Sequence, residues 1–111
     1  MNESPIFART YDLARWLIPT TVAFPRHQRF ILAADMQQSV LRLHARLVEA
    51  ARLPDTRRSL SAADAELDKL RFCLRLSYDL GCISLGQQRH AGLMVAEIGR
   101  LLGAWHKSLE R

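Results

Sequence analysis

The sequence is short of nearly everything that builds a reactive centre. Its two cysteines, Cys73 and Cys82, form no C-x-x-C pair, which excludes a zinc ribbon or a dithiol redox motif, and their apolar neighbours point to buried, reduced thiols. There is no Ser-His-Asp or Cys-His arrangement, no pair of catalytic carboxylates, no Gly-rich phosphate loop and no H-E-x-x-H. Neither an enzyme nor a bound cofactor or metal is therefore expected. No stretch approaches the roughly 18 apolar residues of a membrane span, and Met1 to Arg9 lacks the apolar core of a signal peptide, so a cytoplasmic protein without membrane contact is expected. Alternating β patterns, internal repeats and low-complexity tracts are missing as well. Lysine is almost absent: of 16 Lys and Arg residues only Lys69 and Lys107 are lysines.

What is present is arginine and helical periodicity. The 111 residues, taken as one domain over 1–111, carry a net charge of +5. That balance favours polyanions or an acidic protein patch as partners. Arginine's planar fork suits phosphate and carboxylate better than lysine's point charge does. Seven arginines (26, 29, 42, 46, 52, 57 and 58) against Asp35, Glu49 and Asp55 concentrate most of the excess between Arg26 and Arg58.

Four helices are predicted, at about 6–22, 25–52, 58–80 and 84–108. In the first, Ile6, Leu13 and Leu17 form one stripe and Phe7, Tyr11, Ala14 and Ile18 a second, while Pro19 must kink or end it. Trp16 falls opposite Leu13 and Leu17 and is expected as an exposed interface residue. Phe24-Pro25-Arg26-His27-Gln28-Arg29-Phe30 then breaks one amphipathic segment and opens the next: the proline suits a first helical turn, and Phe24 can pack back on the new helix. Two arginines and a histidine at a helix start oppose its dipole, which suggests an external partner for them. Residues 26–53 contain neither glycine nor proline. Met36, Val40, Leu43, Leu47 and Ala50 repeat at steps of 4 and 3, a bundle seam, widened by Phe30, Leu32, Leu41 and Val48.

Leu53-Pro54-Asp55-Thr56 reads as a turn, with Ser61 a candidate N-cap of the third helix and Asp64 its capping-box partner. The seam continues through Leu60, Ala63, Leu67, Leu70 and Leu74, with Asp64, Asp68, Arg71 and Arg75 on another face at pairing distance. Gly81 is a left-handed stop, and Ser84 to Gln87 a capping box for the fourth helix, whose seam is Ala91, Met94, Ile98, Leu101 and Trp105. The pattern is all-α, an antiparallel up-down four-helix bundle.

Three stretches, in order, resemble the accessory variability determinant (Avd) family of diversity-generating retroelements. Phe24 to Ala33 (FPRHQRFILA) is similar to that family's F-P-x-x-x-R-F-x-L-G. Leu67 to Leu80 (LDKLRFCLRLSYDL) resembles L-x-x-L-R-x-L-L-R-L-A-x-D-L, and Glu97 to Ser108 (EIGRLLGAWHKS) resembles E-I-G-R-M-L-G-G-W-L-K. The departures are Ala33 or Ala34 at a usual Gly, Ser77 for Ala, Ala104 for the second Gly, and His106 after the Trp. The resemblance implies a four-helix bundle assembling as a homopentameric ring, with a basic surface that binds the element's reverse transcriptase and its template RNA and cDNA. Such a protein is not itself the polymerase but enables mutagenic retrohoming. A more distant resemblance is to the ring-forming four-helix proteins of ribosomal RNA intervening sequences, although Val48 to Ala51 lacks their A-E-G-type signature. That offers a second reading, a protein–protein interaction module whose basic face is incidental.

A third reading, a HEPN-like ribonuclease, hangs on Arg100 and His106 in R-x5-H spacing. Six residues of helix advance about 600°, leaving the two about 120° apart in projection. A surface Arg and a helix-end His account for them far more simply, and the polar residue that usually follows the Arg in that motif is replaced by Leu101. For nucleic-acid or polymerase binding the candidates are Arg26, His27, Arg29, Arg42, Arg46, Arg57 and Arg58, with Arg71 and Arg75 shared between that role and ion pairs to Asp68 and Asp79. Trp16, Phe24, Phe30 and Trp105 are candidates for the core or a subunit interface.

Overall fold

The computed structural model describes residues 5–110, and among these it contains four long helices and no strand. We label them α1 (Pro5–Val22), α2 (Ala34–Arg52), α3 (Thr56–Asp79) and α4 (Leu85–Ser108). A single helical turn, Arg26–Gln28, and a π-helical segment, Arg29–Ala33, lead into α2.

Antiparallel order follows from which residues meet. Thr21 meets Gln37 and Phe7 meets His44 across α1 and α2. Asp35 meets Lys69 and Arg42 meets Glu66 across α2 and α3. Trp16 meets His90 and Phe7 meets Trp105 across α1 and α4, which closes the bundle. In each case rising numbers on one helix match falling numbers on the other.

The core is built from the predicted seams. Met36, Val40, Leu43, Leu47 and Ala50 of α2 are buried against Leu60, Ala63, Leu67, Leu70 and Leu74 of α3. Side chains three and four apart share a helical face, so each seam turns one continuous stripe toward its neighbour. On α4 the deepest stripe is Ala91, Val95, Ile98 and Leu102, with Met94, Leu101 and Trp105 half-buried beside it. That lies one residue round from the predicted seam.

Polar groups within this core are mostly turned onto backbone carbonyls. Thr10 donates to the Ile6 carbonyl at 2.8 Å, and Ser77 to that of Cys73 at 2.7 Å. Cys73 is buried and Cys82 half-buried, both as free thiols. Burial raises both thiol pKa values; for Cys73 the nearby Asp35 charge adds to the rise, partly countered by Lys69.

Three local expectations need correction. Pro19 is not among them: it does not end α1, which runs on to Val22, the predicted bound. The carbonyl that loses its partner is that of Arg15, on the exposed side, where solvent can satisfy it. α3 begins at Thr56, not near Ser61: Asp55 takes the left-handed region (φ 65°, ψ 49°), its carbonyl accepts from the Arg58 and Ser59 N–H groups, and Thr56 Oγ1 donates to the Ala50 carbonyl at 3.1 Å. Ser61 is thus a surface residue inside the helix and caps nothing. Pro25 is the N-cap of the short turn, not part of it. Finally, α2 is not one regular helix from Pro25, because the Ala34 N–H bonds to the Arg29 carbonyl five residues back, which is π geometry.

Gly81 does stop α3 with φ +77°. The α4 capping box forms as expected, with the Gln87 N–H donating to Ser84 Oγ at 3.1 Å and the Ser84 N–H to Gln87 Oε1 at 2.8 Å.

Candidate nucleic-acid and partner interface

Arginines define the surface, and the structure sorts them into paired and unpaired. Arg42 Nε lies 3.2 Å from Glu66 Oε2 and its Nη1 3.4 Å from Gln38 Oε1. Arg46 Nη2 donates to Glu49 Oε2 at 3.0 Å, and Arg71 Nη1 to Asp68 Oδ1 at 2.7 Å. Each of these charges is locally cancelled, so Arg42 and Arg46 do not add to a free basic face as their sequence positions suggest. Arg57 Nη2 reaches the Leu109 carbonyl at 3.4 Å, a contact that ties the start of α3 to the end of α4 without neutralising the charge.

Arg26, His27, Arg58 and Arg75 are exposed and have no ion-pair partner among the described residues. The expected Arg75–Asp79 pair does not form there. Arg52 and Arg89 stand unpaired in the same way, and sequence reasoning did not single them out because nothing in their spacing distinguishes them from paired arginines. Arg29 is fixed in direction by donating from Nε to the Phe24 carbonyl at 3.0 Å. Because the helices alternate, most of the unpaired cations fall near the ends of the bundle: Arg26, His27, Arg75 and Arg89 towards one end, Arg52, Arg57, Arg58 and Lys107 towards the other, while Arg15 lies midway along α1.

Between α3 and α4 lies a groove of about 270 Å³ lined by Arg71, Leu74, Arg75, Gln88, Gly92 and Val95. Arg71 lies over Gly99: a methyl group there would come 2.7 Å from its Nη2. An apolar groove of about 420 Å³ runs between α1 and α2, with Phe7, Tyr11, Ala14, Val40, Leu41 and His44 on its walls. Arg100 grips Glu97 through both nitrogens, at 3.0 and 2.7 Å, and that hydrogen bond holds the Glu97 carboxyl below the usual carboxylate range.

The aromatic candidates part company. Phe24 is fully buried and Trp105 packs half-buried on the core, edge-on to Phe7 at 6.4 Å. Trp16 is not on the side opposite Leu13 and Leu17. Three residues of helix bring it back near Leu13, so it rests on the core with its ring 5.4 Å from that of His90. Phe30 does not widen the α2 seam; it is 86% exposed, and Ile31 beside it 77%. Tyr11 and Leu41, also expected on buried stripes, are exposed too. Leu41 lies on the open wall of the groove between α1 and α2, beside the Met36–Val40–Leu43 seam rather than in it.

Among the described residues, no cluster of three or more His, Cys, Asp or Glu side chains could hold a metal, and no helix is long and apolar enough to cross a membrane. Fold and surface together define a basic antiparallel four-helix bundle whose polar chemistry lies on its outside, in grooves between helices and at the bundle ends. Within that class the chain belongs to the bAvd-like family, the bacterial accessory variability determinants, whose model matches residues 6–109. It is thereby an accessory protein of the retroelement type. No curated protein matches the chain.

Proposed function

We propose that the protein is a non-catalytic accessory factor of a diversity-generating retroelement, which binds the element's reverse transcriptase together with template RNA and cDNA and so enables mutagenic retrohoming. The observation that carries this is the family match over residues 6–109. The charge distribution supports it. Phosphate binding through counterion release needs unpaired cations and not base-reading geometry, and Arg26, Arg57, Arg58 and Arg75 supply them.

In this reading the chain assembles as a homopentameric ring in the cytoplasm. Five copies of each unpaired cluster convert a weak single-chain contact into an avid one. Arg42, Arg46 and Arg71 hold helices and their own acids, and contribute less to the polyanion.

The test is the light-scattering mass of the purified protein, followed by co-purification with the reverse transcriptase of the same element. A mass near five chains and stable retention of the polymerase are expected. A monomer that leaves the polymerase behind refutes the proposal. RNA binding should also fall steeply between about 50 and 200 mM salt, whereas an interaction module with an incidental basic face would show no such loss.

A further inference from the structure

We infer that the end of the bundle formed by the π-helical segment is a platform for unpaired nucleic-acid bases, with Phe30 as the stacking ring, Ile31 as its apolar neighbour, and Arg26 and His27 engaging the adjoining phosphates. This rests on the RNA-binding reading above and narrows it from a charged surface to a single-strand site.

The first support is how the π segment divides its side chains. Of the four consecutive apolar residues Phe30, Ile31, Leu32 and Ala33, the last two are buried and the first two face solvent. A helix that only needed to enter the core would place small or polar groups on that outer side. Instead it presents a phenyl ring and a sec-butyl group side by side, forgoing the burial that normally stabilises such groups. π-helical turns are uncommon and recur at functional positions.

The second support is charge. Residues 21–34 contain no Asp or Glu, and the nearest following acid, Asp35, is held by Lys69 Nζ at 2.8 Å. Arg26 and His27 lie four and three residues before Phe30, about one turn away on the same surface, and neither has an ion-pair partner among the described residues. Arg29 is steered aside by the Phe24 carbonyl. The platform is therefore an exposed aromatic ring bordered by cations, with no carboxylate on its own segment to repel a phosphate; the exposed Asp79 at the end of α3 is the free acid at the same end of the bundle.

A protruding ring beside cations matches how single strands are held: bases stack on an aromatic face while the backbone follows positive charge. A duplex keeps its base faces inside the helix, so it would engage the arginines but not the ring. Phe30 projects into solvent at 86% exposure, which leaves its ring face open to a planar base.

The test compares a labelled, unstructured single-stranded RNA with a duplex RNA of equal length by fluorescence anisotropy, using the wild type, Phe30→Ala, Phe30→Tyr and Arg26→Ala, with the mass of each variant measured. Phe30→Ala should weaken single-strand binding by about 5-fold or more and leave duplex binding unchanged. Phe30→Tyr should retain single-strand binding, and Arg26→Ala should weaken both. The inference is overturned if Phe30→Ala stays within about twofold of wild type on single strands, or if it loses single strand and duplex equally. It is also overturned if the variant alters assembly mass or polymerase retention with RNA binding intact, since the ring then meets protein. A wild type that retains the polymerase yet ignores single strands would overturn this inference alone, and the accessory role would stand.

Discussion

At the waist of the bundle, Arg42 reaches across to Glu66, above a seam of fully buried leucines. At the end where the π segment lies, Arg26 and His27 face solvent with no ion-pair partner among the described residues, near the exposed apolar side chains Phe30 and Ile31. Both regions belong to one stretch of chain and carry the same kind of charge. At the waist a second helix runs alongside and supplies the Glu66 carboxylate, so arginine there joins helices; at the end no carboxylate of the described residues pairs with Arg26, so arginine remains available. Net charge overstates what a partner meets, and the unpaired subset is the relevant quantity.

That contrast can be broken in several ways. The largest expected effect is at the waist: Leu43→Ala should cost about 2–5 kcal/mol in denaturant unfolding, whereas Phe30→Ala should stay within about 0.5 kcal/mol of wild type. Equal losses would mean that the end is packed as tightly as the waist. Next comes RNA affinity. Arg26→Ala should reduce the slope of log K against log salt by about 1, and Arg42→Ala should leave it nearly unchanged. A larger change from Arg42 would show that its pair with Glu66 opens to bind.

A third effect sharpens the description of the waist. Ser39 is fully buried and its Oγ has no hydrogen-bond partner among the described residues, so Ser39→Ala should raise stability by about 1 kcal/mol, and a loss of that size would reveal a partner for the hydroxyl. The smallest is in pH. Burial holds the Cys73 thiol pKa above its ordinary value, so the unfolded chain ionises first as pH rises. Its contribution to stability is complete below the ordinary thiol pKa, about 8.5, and declines above it. Cys73→Ala should flatten that alkaline decline in thermal unfolding, and an unchanged slope would place its origin elsewhere.

The seams of α2 and α3 were legible because 3-and-4 spacing is a local signal that survives in nearly any bundle. Ser84 and Gln87 were legible for a similar reason, since a capping box is closed within four residues. The start of α3 was not. Ser61 and Asp64 satisfy the same local pattern, and only the left-handed backbone of Asp55, with the Thr56 hydroxyl turned back on Ala50, moves the N-cap six residues earlier, from Ser61 to Asp55. The π segment left no periodic trace either, because one inserted residue shifts the phase just once. The candidate site was half legible: the arginines could be counted, but Glu66 lies 24 residues beyond Arg42 in sequence, and no spacing rule links them.

By itself, then, the sequence determined the helices, the stripe each one buries, the sign of the surface charge and the family. These follow from short-range geometry, 3.6 residues per turn and the transfer of apolar side chains out of water, which act the same wherever the helix is placed. Only the tertiary structure decided which arginines remain free and that Phe30 and Ile31 point outward. Ion pairing and exposure depend on what lies within a few ångströms through space, and that distance is set by how neighbouring helices align.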